Sequence, residues 1–337
     1  MRRTTVLAID LAKKNFQIHG INEKFQKTAK KSLKRDELFQ TVINLKPEKV
    51  AFEACGSAHY WGRRFQEAGI KIMMIPAQFV KPYVKTNKSD AADAEAIAHA
   101  AMNPGTRTVP LKSDWHLDLQ MLHREREQLV ANRTMLVNQL RAFLYERGKI
   151  AKLGKLNAIK LARDTLLEDG FSGEFRSCIE RMLEQYNYFE GMIKRNEERI
   201  QATADQNPDI QRLLDVPGIG IMTATALAAA IPDKTEFKSG RHLAAWIGLV
   251  PKHSGTGGKT RILSTSKRGN SYLRRLFIQG AGALLIWVKN KSDQVSKWAR
   301  ELKDKRGSNK AKVALANKTA RIAYAVFCKG ADYKVAA

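Results

Sequence analysis

Two short apolar runs, each ending in an acid, set the tightest limit on how this chain folds. Thr5-Val6-Leu7-Ala8-Ile9 runs into Asp10, and Lys49-Val50-Ala51-Phe52 runs into Glu53. Short runs of β-branched and apolar residues are strand signals. Between and after them, strand and helix signals alternate. Phe16 to Ile21 alternates and then turns, and the polar segment behind it reads as a third strand. Arg35 to Leu45 has a helical pattern, as does Ala58 to Ala68, which Gly69 stops. Ile70 to Ile75 is the next strand, closed by Pro76. Ser89 reads as the N-cap of a helix from Asp90 to Met102, ended by Asn103-Pro104-Gly105. Three strands, helix, strand, helix, strand, helix is the order of an α/β domain.

Beyond residue 108 the pattern changes. Trp115, Leu122, Leu129, Leu136 and Phe143 recur every seventh residue, and Ile179, Tyr186, Ile193 and Ile200 repeat that period. Two long amphipathic helices joined between Gly148 and Gly173 fit this spacing. They form either a hairpin within one chain or a coiled-coil arm that dimerises. Asn207-Pro208 marks the next boundary. After it, Val216-Pro217-Gly218-Ile219-Gly220 separates two helical stretches, a helix–hairpin–helix-like segment. The expected organisation is thus three parts, at 1–108, 109–206 and 207–337. The first is α/β. The second is helical. The third is mainly α-helical, with a basic tail broken at Gly307-Ser308-Asn309.

Charge narrows the partners. The net charge of +26 self-repels and favours a polyanion, nucleic acid before an acidic membrane surface. From Phe237 to Ser292 there are eleven Lys or Arg residues and no Asp or Glu, which puts the contact surface in the third part. Lys252, Lys259, Arg261, Lys267, Arg268, Arg274 and Arg275 are the candidate phosphate contacts, with Gly218 and Gly220 offering backbone N–H groups. No run of 18 apolar residues exists to span a bilayer. The start carries no signal-peptide core, so a cytoplasmic, nucleoid-associated protein is expected. Three scattered cysteines, Cys55, Cys178 and Cys328, suggest neither a disulfide framework nor a zinc site.

The acids carry the chemistry. Strand ends present side chains to a crevice in an α/β sheet, which is where Asp10 and Glu53 fall. Asp90 and Asp93 lie three apart at a helix start and share a face. Singly, Asp10 reads equally as a turn residue, and Asp90 and Asp93 as complements to a helix dipole. Together they form an all-oxygen donor set that suits Mg2+ or Mn2+. Two such ions ~3.5–4 Å apart stabilise the attacking and leaving oxygens of phosphoryl transfer. A second candidate is His253-Ser254-Gly255-Thr256-Gly257-Gly258-Lys259-Thr260-Arg261, read as a flexible basic loop. Ser254, Thr256, Thr260, Ser264, Thr265 and Ser266 all compete there as nucleophiles, and composition does not choose among them.

Several motifs, in this order, resemble a known family. They are Ala8-Ile9-Asp10-Leu11-Ala12-Lys13, Phe52-Glu53-Ala54-Cys55-Gly56 and Lys88-Ser89-Asp90-Ala91-Ala92-Asp93-Ala94, then Val216 to Gly220, Gly248 to Gly255, Ser266 to Gly269 and Leu273-Arg274-Arg275. The chain looks like the DEDD transposases of bacterial insertion sequences, the insertion-sequence-one-ten family, related to the Piv and MooV invertases. The resemblance implies a RuvC-like, ribonuclease-H-like first domain, a coiled-coil dimerisation region and a C-terminal transposase domain. It implies recombination of donor and target DNA guided by an element-encoded bridge RNA. It also implies that Asp10, Glu53, Asp90 and Asp93 bind magnesium and that Ser254 is the nucleophile. The serine would come from another protomer of a tetramer. A junction nuclease that uses water, and a non-enzymatic nucleic-acid binder, are the competing expectations.

Overall fold

The computed structural model describes residues 3–84, 90–288 and 293–334. The chain divides into two compact units, Met1–Ser113 and Asp114–Ala337.

The first unit is a five-stranded sheet in the order β3-β2-β1-β4-β5. Its strands are β1 (Val6–Asp10), β2 (Asn15–Ile21), β3 (Lys27–Lys34), β4 (Lys49–Glu53) and β5 (Lys71–Ile75). β1 runs antiparallel to β2 and parallel to β4, which is parallel to β5. Helices α1 (Arg35–Leu45), α2 (Ala58–Glu67), the short α3 (Ala77–Val80) and α4 (Asp90–Met102) complete it. The sequence reading anticipated all but α3, which is a single turn. The Ser89 cap expected before α4 lies outside the described residues.

Both faces of β1 are covered, which is why its sequence is continuously apolar. Leu7 and Ile9 pack with Leu38 and Val42 of α1 and Trp61 and Phe65 of α2. Val6 and Ala8 face Ile97, Ala98 and Ala101 of α4. Each fully buried Val, Leu, Ile or Phe among these stabilises the fold by about 1.5–3 kcal/mol, and each alanine by less. The small side chains of α4 let that helix lie close over the sheet. Lys49 Nζ, at the start of β4, donates to the carbonyl of Ala101 at 2.9 Å, tying the C-terminal end of α4 to the strand starts. The N-terminal end of α4 therefore lies toward the strand ends, where β1 and β4 finish side by side with Ile9 paired to Phe52.

The second unit is mostly helical. Helices α5 (Asp114–Tyr145) and α7 (Gly173–Asp205) form a hairpin within the chain, and α6 (Lys155–Leu166) fills the connection that the sequence left unstructured. Their shared core takes Leu136, Val137, Leu140 and Leu144 from α5, Ile159 from α6, and Ile179, Met182 and Tyr186 from α7. The packed stripe is not the sevenfold repeat throughout: Trp115 and Phe143 stay 37% and 36% exposed. Salt bridges Arg126–Glu197 at 2.6 Å and Arg133–Glu190 at 3.0 Å cross the hairpin.

The rest of this unit comprises α8 (Pro208–Leu214), α9 (Ile221–Ala230), α10 (Gly240–Ile247), β6 (Pro251–Thr256), β7 (Lys259–Thr265), α11 (Ser271–Trp287), α12 (Gln294–Arg306) and α13 (Ser308–Lys329). One apolar core joins α8 to α13. Buried His123 of α5 bridges to it, with Nδ1 2.9 Å from Tyr272 Oη and Nε2 3.0 Å from Thr225 Oγ1. Thr225 Oγ1 donates to the Ile221 carbonyl, so Nε2 donates to Thr225 and Nδ1 accepts from Tyr272. Burial, reinforced by Arg126, lowers the His123 pKa to about 4, which keeps the ring neutral.

The stretch from His253 to Arg261 corrects the sequence reading. It is not a flexible loop but an antiparallel hairpin, with Ser254 paired to Arg261 and Thr256 to Lys259. Gly257 and Gly258 both hold positive φ, +58° and +76°, and form the two-residue turn whose twist matches the flanking strands.

Candidate metal centre

Three of the four acids meet. Asp10 at the end of β1 and Asp90 and Asp93 in the first turn of α4 each offer a carboxylate oxygen, all within 4.8 Å of one another. The ladder explains Asp10: it follows the last fully buried residue of β1, so its side chain is the first to reach the open edge. The i, i+3 spacing brings Asp90 and Asp93 to the same side of α4. Glu53 ends the adjacent strand and is half-buried.

Electrostatics ties Glu53 to the group. Burial pushes the Asp10 carboxyl up to about 6, and Asp93, Asp90 and Glu53, in that order, add to the rise. The Glu53 carboxyl is raised by burial and then by Asp93. The nearby Cys55 thiol is raised by burial and by the charges of Glu53 and Asp10. Every influence acting on Asp10 disfavours its anion, as expected of partly buried carboxylates brought close together. Oxygen-only donors at this spacing fit a hard divalent ion.

The basic candidates fall elsewhere, in the second unit. Ser254 lies exposed on β6, with Lys252 on the same strand and Lys259 and Arg261 exposed on β7. Lys267 and Arg268 are exposed in the connection to α11. Arg274 and Arg275 are engaged within the fold. Arg274 Nη1 donates to the Ile247 carbonyl at 3.1 Å, holding the end of α10. Arg275 pairs with Glu127 and lies over the Tyr272 ring, 5.3 Å from its centroid. The two glycines also separate. A Cβ on Gly280 of α11 would sit 1.9 Å from the Gly218 carbonyl oxygen, so the α8–α9 turn needs this close backbone approach for packing. Gly220 is the N-cap of α9 and faces open space. The His123–Tyr272–Thr225 bridge escaped sequence reasoning, because a lone histidine on an amphipathic helix carries no spacing signal.

Comparison with known proteins covers both sets of residues. The family profile described as "Transposase", that of the DEDD transposases of IS110 elements, matches residues 7–147 and so spans the carboxylates. The profile described as "Transposase IS116/IS110/IS902 family" matches residues 210–297 and spans the hairpin. A probable family 20 transposase of Pseudomonas aeruginosa is 41% identical over 97% of this chain and 98% of its own length. The transposase for insertion sequence element IS1111A of Coxiella burnetii is 38% identical over 100% of this chain and 93% of its own. The transposase for insertion sequence element IS1328 of Yersinia enterocolitica is 34% identical over 98% of each. No helix among the described residues is long and apolar enough to cross a membrane. With both profiles matched in order and near-full-length relatives at this identity, the chain belongs to the IS110/IS116/IS902 family of insertion-sequence transposases.

Proposed function

We propose that this transposase cleaves and exchanges DNA strands by metal-assisted phosphoryl transfer, with Ser254 as the nucleophile. The observation that carries the reading is the meeting of Asp10, Asp90 and Asp93 at one strand end, with Glu53 beside them. Asp10, Glu53, Asp90 and Asp93 hold the cation, Mg2+ or Mn2+, which when bound neutralises them and polarises phosphate oxygens. The Ser254 hydroxyl gives its proton to solvent water as its oxygen attacks phosphorus, forming a serine–DNA phosphodiester. The bond to the leaving DNA oxygen breaks, and that oxygen takes up a proton. Attack by a DNA hydroxyl on the serine ester then joins new partners and regenerates Ser254. Lys252, Lys259 and Arg261 around it, with Lys267 and Arg268, contact backbone phosphates. Gly218 and Gly220 shape a helix–hairpin–helix-like backbone contact.

The three-part division at 1–108, 109–206 and 207–337 belongs to the same reading. So do pairing through the α5–α7 arm as a coiled coil, and a tetramer in which Ser254 of one protomer serves the carboxylates of another. A bridge RNA encoded by the element selects donor and target by base pairing, while the protein reads shape and backbone.

The test incubates the protein with its flanking non-coding RNA, both DNAs and Mg2+, and assays for a denaturation-resistant protein–DNA product. Ser254→Ala abolishes that product, and Asp10→Asn or Asp93→Asn abolishes strand cleavage. An adduct at the wild-type level with Ser254→Ala overturns the nucleophile. Cleavage without any adduct makes the protein a junction nuclease that uses water. Wild-type function in Glu53→Gln would make the acids structural.

A further inference from the structure

A groove in the second unit combines a cationic rim with an apolar floor. It encloses about 1700 Å3 between the end of β7, the start of α10, the start of α12 and the length of α13. Arg241, Lys310, Lys318, Arg321 and Lys334 line it, and Asp332 is the one carboxylate among its described lining residues. Its apolar lining includes Leu249, Val313, Ala314 and Ile322, together with the half-buried indole of Trp298. The Lys318 ammonium stands over that indole, 4.8 Å from the ring centroid.

Size, charge and floor each restrict the occupant. Small-ligand pockets span about 300–1,000 Å3, so an open groove of this size suits a segment of a polymer. The excess of cations selects a polyanion. A duplex offers only hydrated phosphates and groove edges, and has no use for an apolar floor. An unpaired strand offers base faces to an aromatic ring and phosphates to the rim at once. Position then selects the strand. Leu263, Ser264 and Thr265 of β7 line the groove, and β7 pairs with β6 so that Ser254 stands opposite Arg261. Arg261 and Ser264 are three residues apart, roughly 10 Å along a strand. A DNA strand held at Ser254 and continuing along β7 enters the groove.

We infer that this groove holds an unpaired strand of DNA, with a base on Trp298 in place of the Lys318 ammonium, which turns to a phosphate, and further phosphates on Arg241, Lys310 and Arg321. The inference rests on the reading of Ser254 as the residue that takes the DNA phosphate. It accounts for a feature that the carboxylates and the hairpin leave unused: strand exchange separates strands, and a separated strand needs a seat.

The experiment measures fluorescence anisotropy of a labelled oligodeoxythymidylate of about 12 nucleotides with the full-length protein in chelator. Saturable binding is expected. The double reversal Lys310→Glu with Arg321→Glu weakens it tenfold or more. The same charge change on exposed Lys160 and Lys194, away from the groove, has a much smaller effect. Trp298→Ala costs about tenfold, by the usual effect of a stacked base. Trp298→Phe keeps most of the affinity and the fold but removes the oligonucleotide-dependent quench of tryptophan emission. Binding unaffected by the groove reversals, or weakened equally by the Lys160 and Lys194 reversals, overturns the inference. So does an oligouridylate that binds tenfold tighter, which would make the groove an RNA seat. Displacement by a polyglutamate of matched charge would make it a peptide site. The adduct assay is separate. Loss of the adduct with intact groove binding removes the Ser254 reading, whereas an intact adduct without groove binding removes this one.

Discussion

Replacing Asp10 by asparagine tests the acidic centre through stability alone, without DNA. In the folded chain the Asp10 carboxyl titrates near 6 instead of 3.8, raised by burial first and then by Asp93, Asp90 and Glu53. An acid whose folded pKa is raised binds its proton more tightly in the folded state. Its contribution is therefore most favourable at low pH and declines as the pH rises between about 4 and about 6. At about 1.4 kcal/mol per pKa unit, the whole shift corresponds to no more than about 3 kcal/mol. Asp10 is only partly buried, and solvent screening reduces this to about 1–2 kcal/mol. Asp10→Asn removes the charge and keeps the shape. In chelator it should therefore stabilise the protein by about 1–2 kcal/mol at about pH 7 and have little effect near pH 4. For the first unit this raises the unfolding midpoint by roughly 4–8 °C per kcal/mol. Scanning calorimetry of both proteins at the two pH values measures it, and the difference between proteins cancels the groups they share. Mg2+ or Mn2+ then reverses the order. At a hundred times its dissociation constant a bound ion stabilises the wild type by about 2.7 kcal/mol, and the variant by much less. A variant that is less stable than wild type at neutral pH in chelator, or that gains as much from the ion, would refute the reasoning.

Other perturbations probe the rest of the molecule. The buried His123 ring has its pKa lowered from 6.5 to about 4, so its contribution is present above about 6.5 and is lost as the pH falls through about 4. His123→Gln should lower the unfolding free energy measured by urea denaturation at neutral pH by about 1–3 kcal/mol, from lost bonds to Tyr272 and Thr225, and flatten the acid side of the stability profile. Gly280→Ala drives a Cβ to 1.9 Å from the Gly218 carbonyl oxygen and should cost about 1–3 kcal/mol in thermal denaturation. Gly220→Ala, facing open space, should cost less than about 1 kcal/mol, and equal costs would contradict the packing assignment. DNA affinity should fall steeply with salt. Substituting Lys252, Lys259 and Arg261 by alanine together should flatten the log–log slope by up to about 3, and an unchanged slope would remove the hairpin from the DNA surface.

What the sequence made legible follows from where burial is two-sided. β1 and β4 are covered on both faces, so their sequences are unbroken apolar runs and their ends are marked by the first charges, Asp10 and Glu53. Asp10 and Glu53 were readable for that reason, because they stand where hydrophobic runs stop, whereas Asp90 and Asp93 were marked by their i, i+3 spacing at a helix start. β6 and β7 are the opposite case. Ser254, Arg261, Ile262 and Leu263 are all exposed, so no face of the hairpin writes an alternating pattern into the sequence. Only Gly257-Gly258 marks the turn, and glycines among hydroxyl residues read equally as a loop. α6 was hidden by the glycines on either side of it. Arg274 and Arg275 illustrate a further limit. Composition counts them as surface cations, whereas one holds a helix end and the other pairs with Glu127. The groove was illegible because α10, β7, α12 and α13 contribute residues spread from Ser239 to Lys334.

Charge placement within the molecule leads to a last consequence for how DNA is engaged. A net charge of +26 draws a polyanion from any direction, and the exposed cations of the hairpin and the groove give it places to bind. The acidic centre does the opposite. With Asp10, Asp90 and Asp93 offering oxygens within 4.8 Å of one another, a phosphate approaching them meets repulsion unless a cation is already there. Overall affinity and productive placement are therefore governed by different parts of the surface. DNA retention should persist in chelator and respond to monovalent salt, because the lysines and arginines carry it. Entry of a phosphate to the carboxylates should require the divalent ion and respond weakly to monovalent salt, because that interaction is local and partly shielded from solvent. If the proposed function holds, DNA retention and strand cleavage should therefore be separable: chelator should abolish cleavage while leaving DNA bound, and loss of both together would refute this division of roles.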